Sequence, residues 1–259
     1  MPHATESSLP LPPDLSGRLA VVTGAARGIG YAISRLLLQA DVRVLGIDKD
    51  EQALEEAFSD GRCIRVVEDI SQRDTARLAS DIVAAYGPIE LIVNNVGITT
   101  PHNFLNLDER EFDLVFRTNL KGPWFLTKGL VRELIDARRP GSIVFISSLH
   151  DTEVRMHPHY SASKAGVAML TRELAYELAE YRIRVNAVSP GAIQTGPSVA
   201  GESRLKKQTE LIPMGRIGSP EDIARATLFL LSDHWSGYVT GTNVVVDGGL
   251  ALHDWLMDL

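Results

Sequence analysis

Residues 18–30 read "RLAVVTGAARGIG", and the turn inside that stretch decides the fold. The apolar, β-branched run "RLAVVT" (18–23) predicts a buried strand. It empties into glycines at 24, 28 and 30, where the pattern changes from strand to helix. Glycine permits a sharp turn and lets a ligand approach where a Cβ would collide. A helix opening near Gly28 aims unpaired N–H groups and its positive end at that space, which suits a pyrophosphate. The spacing is G-x-x-x-G-x-G, not the commoner G-x-G-x-x-G, so alone it also describes a purely structural glycine turn.

Working outward, further strand segments follow at "VRVLGID" (42–48), "RCIRVVE" (62–68), "ELIVNN" (90–95), "SIVFIS" (142–147), "IRVNAVS" (183–189) and "NVVVD" (243–247). Several are nearly continuous apolar runs, as expected for strands covered on both faces. The segments between them are long enough for helices; one opens with "DEREFDLVF" (108–116), with Asp108 as N-cap, and contains Gly122-Pro123, where a kink is expected. The pattern predicts an α/β fold in a single domain: a Rossmann-type, doubly wound, seven-stranded parallel sheet with helices on both faces. Residues 1–14, with four prolines, read as a flexible tail, and 15–259 as the domain.

The bulk composition excludes several classes. The chain has a net charge of −7 and no cluster of Lys and Arg beyond the pairs Arg138-Arg139 and Lys206-Lys207, so no nucleic-acid partner is expected. No apolar run approaches the roughly 20 residues that span a bilayer, and the N-terminus lacks the basic and apolar regions of a secretion signal. Cys63 is the single cysteine, which fits a reducing compartment. A cytoplasmic protein without a membrane partner is expected.

Asp48 ends the second strand, 18 residues past Gly30, close to the roughly 20 expected for the acid that binds a ribose 2′-hydroxyl. A 2′-phosphate beside that carboxylate would meet about 1–4 kcal/mol of repulsion at roughly 4 Å. NAD is therefore expected over NADP, with Arg27 as a cation able to soften the preference. The stretch "YSASK" (160–164) places Tyr160 and Lys164 four apart, on one helix face, with only small residues between them. Any amphipathic helix can hold a half-buried Tyr beside a solvated Lys. The chemical reading is a phenol readied by a cation to act as acid/base at an alcohol oxygen.

Taken in order, these motifs resemble the short-chain dehydrogenase/reductase family in its single-domain form, over about Leu15 to Gly249. The resemblance rests on "TGAARGIG" (23–30), "EDIS" (68–71), "NNVG" (94–97, Val96 standing where the family has Ala), "TNLKG" (118–122), "ISS" before "YSASK", "SPG" (189–191) and "VVVDGG" (244–249). It implies an NAD(P)-dependent oxidoreductase acting on CH–OH groups. The implied catalytic set is Asn119, Ser148, Tyr160 and Lys164, with Asn119 holding a water that links Lys164 to solvent. The implied cofactor set is Gly24, Arg27, Gly28, Ile29, Gly30, Asp48, Asp69, Ile70, Asn95, Tyr160, Lys164, Pro190, Gly191, Ile193 and Thr195, with Asp69 at the adenine and Thr195 at the carboxamide.

The partner serine stays between two residues. Ser148 lies 12 and Ser147 13 residues before Tyr160; alignment on the strand end favours Ser148, distance alone Ser147. The polar loop "LHDTEVRMHPH" (149–159) is similar to that of the family's sugar dehydrogenases, which implies a sugar or polyol substrate held by Ser148, His150, Glu153, Arg155, His159 and Tyr160. The stretch 193–218 is expected to be a lid, helical around 202–211. The C-terminal tail, with Trp255, is expected to reach a neighbour's site in a homotetramer. His150, Asp151, His157 and His159 match no zinc spacing, so no metal is expected. The alternatives are a carbonyl reductase such as a 3-oxoacyl-[acyl-carrier-protein] reductase, and a non-catalytic NAD-binding scaffold.

Overall fold

The computed structural model describes residues 11–196 and 209–252. Its strands are β1 (Leu19–Thr23), β2 (Arg43–Asp48), β3 (Cys63–Val67), β4 (Leu91–Asn94), β5 (Gly141–Ile146), β6 (Ile183–Pro190) and β7 (Asn243–Val246). All pair in parallel in the order β3-β2-β1-β4-β5-β6-β7. This is the expected doubly wound sheet, each strand within about a residue of its apolar run. The chain starts in the middle and runs outward to β3, then returns to β4 on the other side of β1. That reversal opens a crevice at the carboxyl ends of β1 and β4, where ligands of such sheets bind.

Both faces are covered. Helices α1 (Gly28–Gln39) and α2 (Glu51–Ala57) flank the first half, α3 (Thr75–Tyr86), α4 (Glu109–Phe116), α5 (Gly122–Asp136) and α6 (Pro158–Leu178) follow, and α7 (Pro220–Leu231) and the short α8 (Asp233–Ser236) precede β7. Strand alternation divides the core. Ala20 and Val22 of β1 pack with Ile33 and Leu37 of α1 and Leu228 of α7. Leu19 and Val21 pack on the other face with Leu78, Leu130 and Leu170 from α3, α5 and α6. Among the described residues, no helix is long and apolar enough to cross a membrane.

Asp108 does cap α4, its carboxylate accepting from Glu111 N–H at 2.8 Å. The expected kink at Gly122-Pro123 takes another form. A π-helical turn, Arg117–Lys121, joins α4 to α5, and Pro123 sits in the first turn of α5. Proline has no N–H to offer the carbonyl four residues back, here that of Asn119, so the helix widens before it rather than bending after it.

Of the expected tail, residues 1–10 lie outside the described residues, and Asp14 is docked rather than free. It follows Pro13 in a 3₁₀ turn and accepts from Ser232 Oγ at 2.7 Å and Asp233 N–H at 2.7 Å. The ends of the expected lid are stitched together, with Gly218 N–H donating to Ala192 O at 2.9 Å and Gln194 N–H to Gly218 O at 3.0 Å. The rest of that segment, 197–208, with most of its expected helix, lies outside the described residues.

At the opposite end of the sheet, Arg184 is buried and gathers the exit of α7. It donates to Leu230 O at 2.7 Å, Leu231 O at 3.1 Å and Ser236 Oγ at 3.2 Å, and pairs with Asp233 at 2.9 Å. An Arg184→Leu change removes its bonds to Leu231 O, Ser236 Oγ and Asp233 in a buried environment, while Leu230 O keeps Ser142 Oγ and Ser236 Oγ. It is expected to destabilise the fold by about 3 kcal/mol, lowering Tm by roughly 6–12 °C for a domain of this size. A thermal melt shifted by less than about 2 °C would contradict that role.

Candidate active site

A cleft of about 570 Å³ opens at the crevice and runs from the glycine turn to α6. Gly24 and Gly28 have φ of +66° and +55°, the left-handed region that favours glycine. A Cβ on Gly30 would sit 2.0 Å from Gly24 O and 2.5 Å from Asn95 Nδ2. Asn95 braces this turn, donating to Thr23 O at 2.9 Å and Gly24 O at 3.2 Å. Arg27, at the N-cap of α1, makes no side-chain capping bond, so the first-turn N–H groups face the cleft uncapped. A tight turn that side chains would fill, with free N–H donors, fits a dinucleotide pyrophosphate.

Asp48 lies farther along the cleft, held by Ala26 N–H at 3.0 Å and Asp50 N–H at 3.1 Å, one to each carboxylate oxygen. Arg27, which also lines the cleft, has its guanidinium paired with Asp50. Asp50 also caps α2 through Ala53 N–H, and that bond and Arg27 hold its carboxyl below the ordinary range. Asp69 and Ile70 line a side pocket of about 110 Å³ with Val96 and Leu114. Asp69 is oriented there by Ser71, whose hydroxyl donates to it at 2.7 Å. Ile29, Pro190, Gly191, Ile193 and Thr195 complete the main cleft.

Tyr160 and Lys164 enter the cleft from the first turns of α6. Lys164 is buried, and its Nζ donates to Ile146 O at 2.8 Å and lies 5.7 Å from the centre of the Tyr160 ring. Burial pulls its ammonium pKa down to about 8, against the opposing charge of Asp151. The expected depression of the Tyr160 pKa draws on Lys164 together with an oxidised nicotinamide ring; the protein groups alone act, on balance, in the opposite direction. Burial pushes the phenol above its ordinary value, a hydrogen bond with Ser148 pulls the other way, and the Asp151 carboxylate adds to the rise. Desolvation of the phenolate is the largest of these effects.

Of the two candidate serines, Ser148 is the one near enough to Tyr160 to oppose the rise in its pKa. Its Oγ also accepts from His150 N–H at 3.3 Å. Ser147 turns away and donates to Asp151 at 2.8 Å. Asn119 is close to Lys164 across Gly97, and both ends of its amide are hydrogen-bonded. Oδ1 accepts from Ile98 N–H at 2.8 Å, and Nδ2 donates to Ile98 O at 2.9 Å and Ser163 Oγ at 3.0 Å. It clamps the loop after β4.

On the outer side of Tyr160, a trough of about 650 Å³ contains His150, Glu153 and Arg155. The His150 ring stands edge-on to Tyr160 at 4.9 Å, its Nδ1 3.1 Å from Ser161 Oγ, and burial pushes its pKa down, keeping it neutral. His159 does not join them. It is buried on another side of α6, with Nε2 3.0 Å from Thr100 Oγ1. Consecutive helical residues point about 100° apart, so the neighbour of Tyr160 does not share its face. Much of the trough is apolar, with Phe104, Leu105, Val154 and Met156 on its rim 81, 87, 92 and 78% exposed. This apolar character was missed in the sequence, where the polar residues of the loop drew attention. Trp255 lies outside the described residues. Among the described residues, no group of three or more His, Cys, Asp or Glu is placed to hold a metal ion.

Comparison with known proteins agrees with this arrangement. A family model described as enoyl-(acyl carrier protein) reductase matches residues 24–251. A 3-oxoacyl-[acyl-carrier-protein] reductase of Thermotoga maritima is 38% identical over 252 residues, covering 92% of this chain and 99% of the relative. An L-rhamnose 1-dehydrogenase (NAD(P)(+)) of Azotobacter vinelandii is 36% identical over 250 residues, covering 91% and 97%. A crystal structure from Agrobacterium tumefaciens, provisionally assigned as a 2-deoxy-D-gluconate 3-dehydrogenase and holding NADP, superposes with a TM-score of 0.84 at 36% identity, over 93% of this chain and 99% of that one. With the sheet, the glycine turn and the Ser148–Tyr160–Lys164 group on one cleft, the chain belongs to the short-chain dehydrogenase/reductase family, NAD(P)-dependent oxidoreductases acting on CH–OH groups.

Proposed function

We propose that the protein oxidises a secondary alcohol with NAD, using Tyr160 as the base and Ser148 as the second partner of the reacting hydroxyl. The observation that carries this reading is the convergence of Ser148, Tyr160 and Lys164 on one cleft, with Tyr160 one helical turn from the buried Lys164. Oxidation takes a hydride from carbon and a proton from oxygen, so a base must lie within hydrogen-bond reach of that oxygen. Tyr160 receives the proton while Ser148 keeps the oxygen in place. A bound nicotinamide supplies the hydride acceptor and, as the oxidised ring, a positive charge. Burial alone disfavours the phenolate, so the Lys164 ammonium and that ring charge are what lower the cost of forming it.

The preference for NAD rests on Asp48, pinned by two N–H groups, and on Asp50, which occupies Arg27. Catalytic efficiency with NAD is expected to exceed that with NADP by about tenfold, roughly 1.4 kcal/mol. Steady-state kinetics with both cofactors tests this directly, and a preference for NADP would overturn it.

For the substrate, the exposed apolar rim supports an alcohol with a hydrocarbon body, such as a hydroxyacyl or ring alcohol, because contact with it removes apolar surface from water. A second reading, a sugar or polyol, is favoured by His150, Glu153 and Arg155 in the same trough. The dehydrogenase of rhamnose among the relatives belongs with that reading. A homologous series of secondary alcohols, assayed beside aldoses and polyols, separates the two. Each buried methylene is worth about 0.8 kcal/mol, or roughly fourfold in kcat/KM. A flat response to chain length, with faster turnover of aldoses, would favour the sugar.

A further inference from the structure

The carboxylate of Asp151 is a meeting point of three strand ends. Its Oδ2 accepts from Ser147 Oγ at 2.8 Å, just beyond β5, from Ser189 Oγ at 2.6 Å in β6, and from Asn243 Nδ2 at 2.8 Å at the start of β7. Ser189 Oγ also lies 2.9 Å from Asn243 Oδ1, which ties the last two together. Ser147 Oγ is in addition 3.4 Å from Lys164 O, so the cluster touches α6. Asp151 closes the 3₁₀ turn Leu149–Asp151, its N–H donating to Ser148 O at 3.0 Å. That turn has Ser148 at its N-cap and His150 at its centre, and both face Tyr160.

We infer that Asp151 is a positioning residue for the reaction: the grip of Ser147, Ser189 and Asn243 on its carboxylate fixes the turn that holds Ser148 and His150 against Tyr160. Three donors converging on one oxygen are more than an exposed turn needs, and they bind together elements far apart in sequence. The carboxylate does not touch the reacting atoms. It sets where Ser148 stands, and a displacement of about 1 Å at such a group is enough to cost roughly a hundredfold in rate.

The charge has its own consequence. The charged and titratable groups facing this cluster are Tyr160 and Lys164 from α6 and His150 within the turn, with His157 and Arg155 behind His150. The strands β5, β6 and β7 bring Ser147, Ser189 and Asn243, which do not titrate. A fixed negative charge here opposes the phenolate and favours the ammonium. Losing it lowers the pH at which Tyr160 ionises.

The inference rests on reading Tyr160 as the base, and the test keeps the two apart. Asp151→Ala is expected to lower kcat by about tenfold or more, with KM for NAD within about twofold of the original, because the cofactor cradle is built elsewhere. Asp151→Asn keeps an oxygen for the three donors and is expected to return kcat to within about threefold of wild type. The near-ultraviolet titration of Tyr160, taken as the difference from Tyr160→Phe, should move to lower pH in Asp151→Asn. Unchanged kcat in the Ala variant, no rescue by Asn, or an unmoved Tyr160 midpoint would each overturn the inference. Should the Ala variant not fold, Ser189→Ala removes the shortest of the three bonds and should lower kcat by about threefold, full activity counting against the clasp. A wild-type protein that oxidises no alcohol would count against the functional reading, while the titration still decides the placement of Asp151.

Discussion

Tyr160→Phe is expected to lower kcat by about 10²–10⁴-fold, the range for loss of a positioned base. NAD affinity should change far less than kcat, since the glycine turn, Asp48 and Lys164 are untouched. Phe keeps the ring, so the edge-on contact with His150 and the packing of α6 survive. What goes is the hydroxyl proposed to take the proton. Ser148 retains His150 N–H, so no buried group is orphaned and the fold should hold. Single-turnover kinetics with a slow alcohol, beside NAD binding by fluorescence, reads both quantities. Near-normal turnover would remove Tyr160 from the chemistry and with it the functional reading.

The second large effect belongs to Lys164. Lys164→Met fills the same space without charge and is expected to lower kcat by about 10²–10³-fold, as for other preorganised charge-stabilising groups. It should also change how stability depends on pH. An unfolded lysine keeps its proton until about pH 10.4, whereas Lys164 in the fold releases it near 8, driven by burial. Below about 8 both states carry the proton, and the cost of burying the charge is fully present. Between about 8 and 10.4 the unfolded chain holds the extra proton, so stability rises with pH across that window, by about 3 kcal/mol in all. The Met variant lacks this rise. Denaturant unfolding of the cofactor-free protein on both sides of the window measures the difference, and parallel curves for wild type and variant would show that Lys164 is not buried as described.

Most of the sheet was legible because a strand covered on both faces must be apolar throughout, and "RLAVVT" or "SIVFIS" has few other uses. The cap at Asp108 was legible because capping is local. Features made by tertiary contact were harder to read. Ser147 and Ser148 differ by one residue, and both lie beyond the last residue of β5, where strand alternation no longer applies. His159 adjoins Tyr160 in the chain yet points to Thr100, a fact of helix geometry that a polar loop in one-letter code conceals. The clasp on Asp151 joins positions 147, 151, 189 and 243, which come together only when β6 and β7 take their places. The desolvation of Tyr160 was illegible for a related reason: a neighbouring cation is visible in the sequence, whereas burial is a property of everything packed around it.

A strand in a parallel sheet has a direction, and β6 gives each pole a different duty. Arg184 near its amino end anchors the exit of α7, and Ser189 near its carboxyl end belongs to the Asp151 cluster beside Tyr160. Five residues of extended chain separate them by about 17 Å, beyond the roughly 7–10 Å at which substitutions without shared partners stop influencing one another. Durability and reactivity are thus housed at opposite poles of one rod. An engineer can reinforce the first pole without disturbing the second, or retune the second without loosening the first.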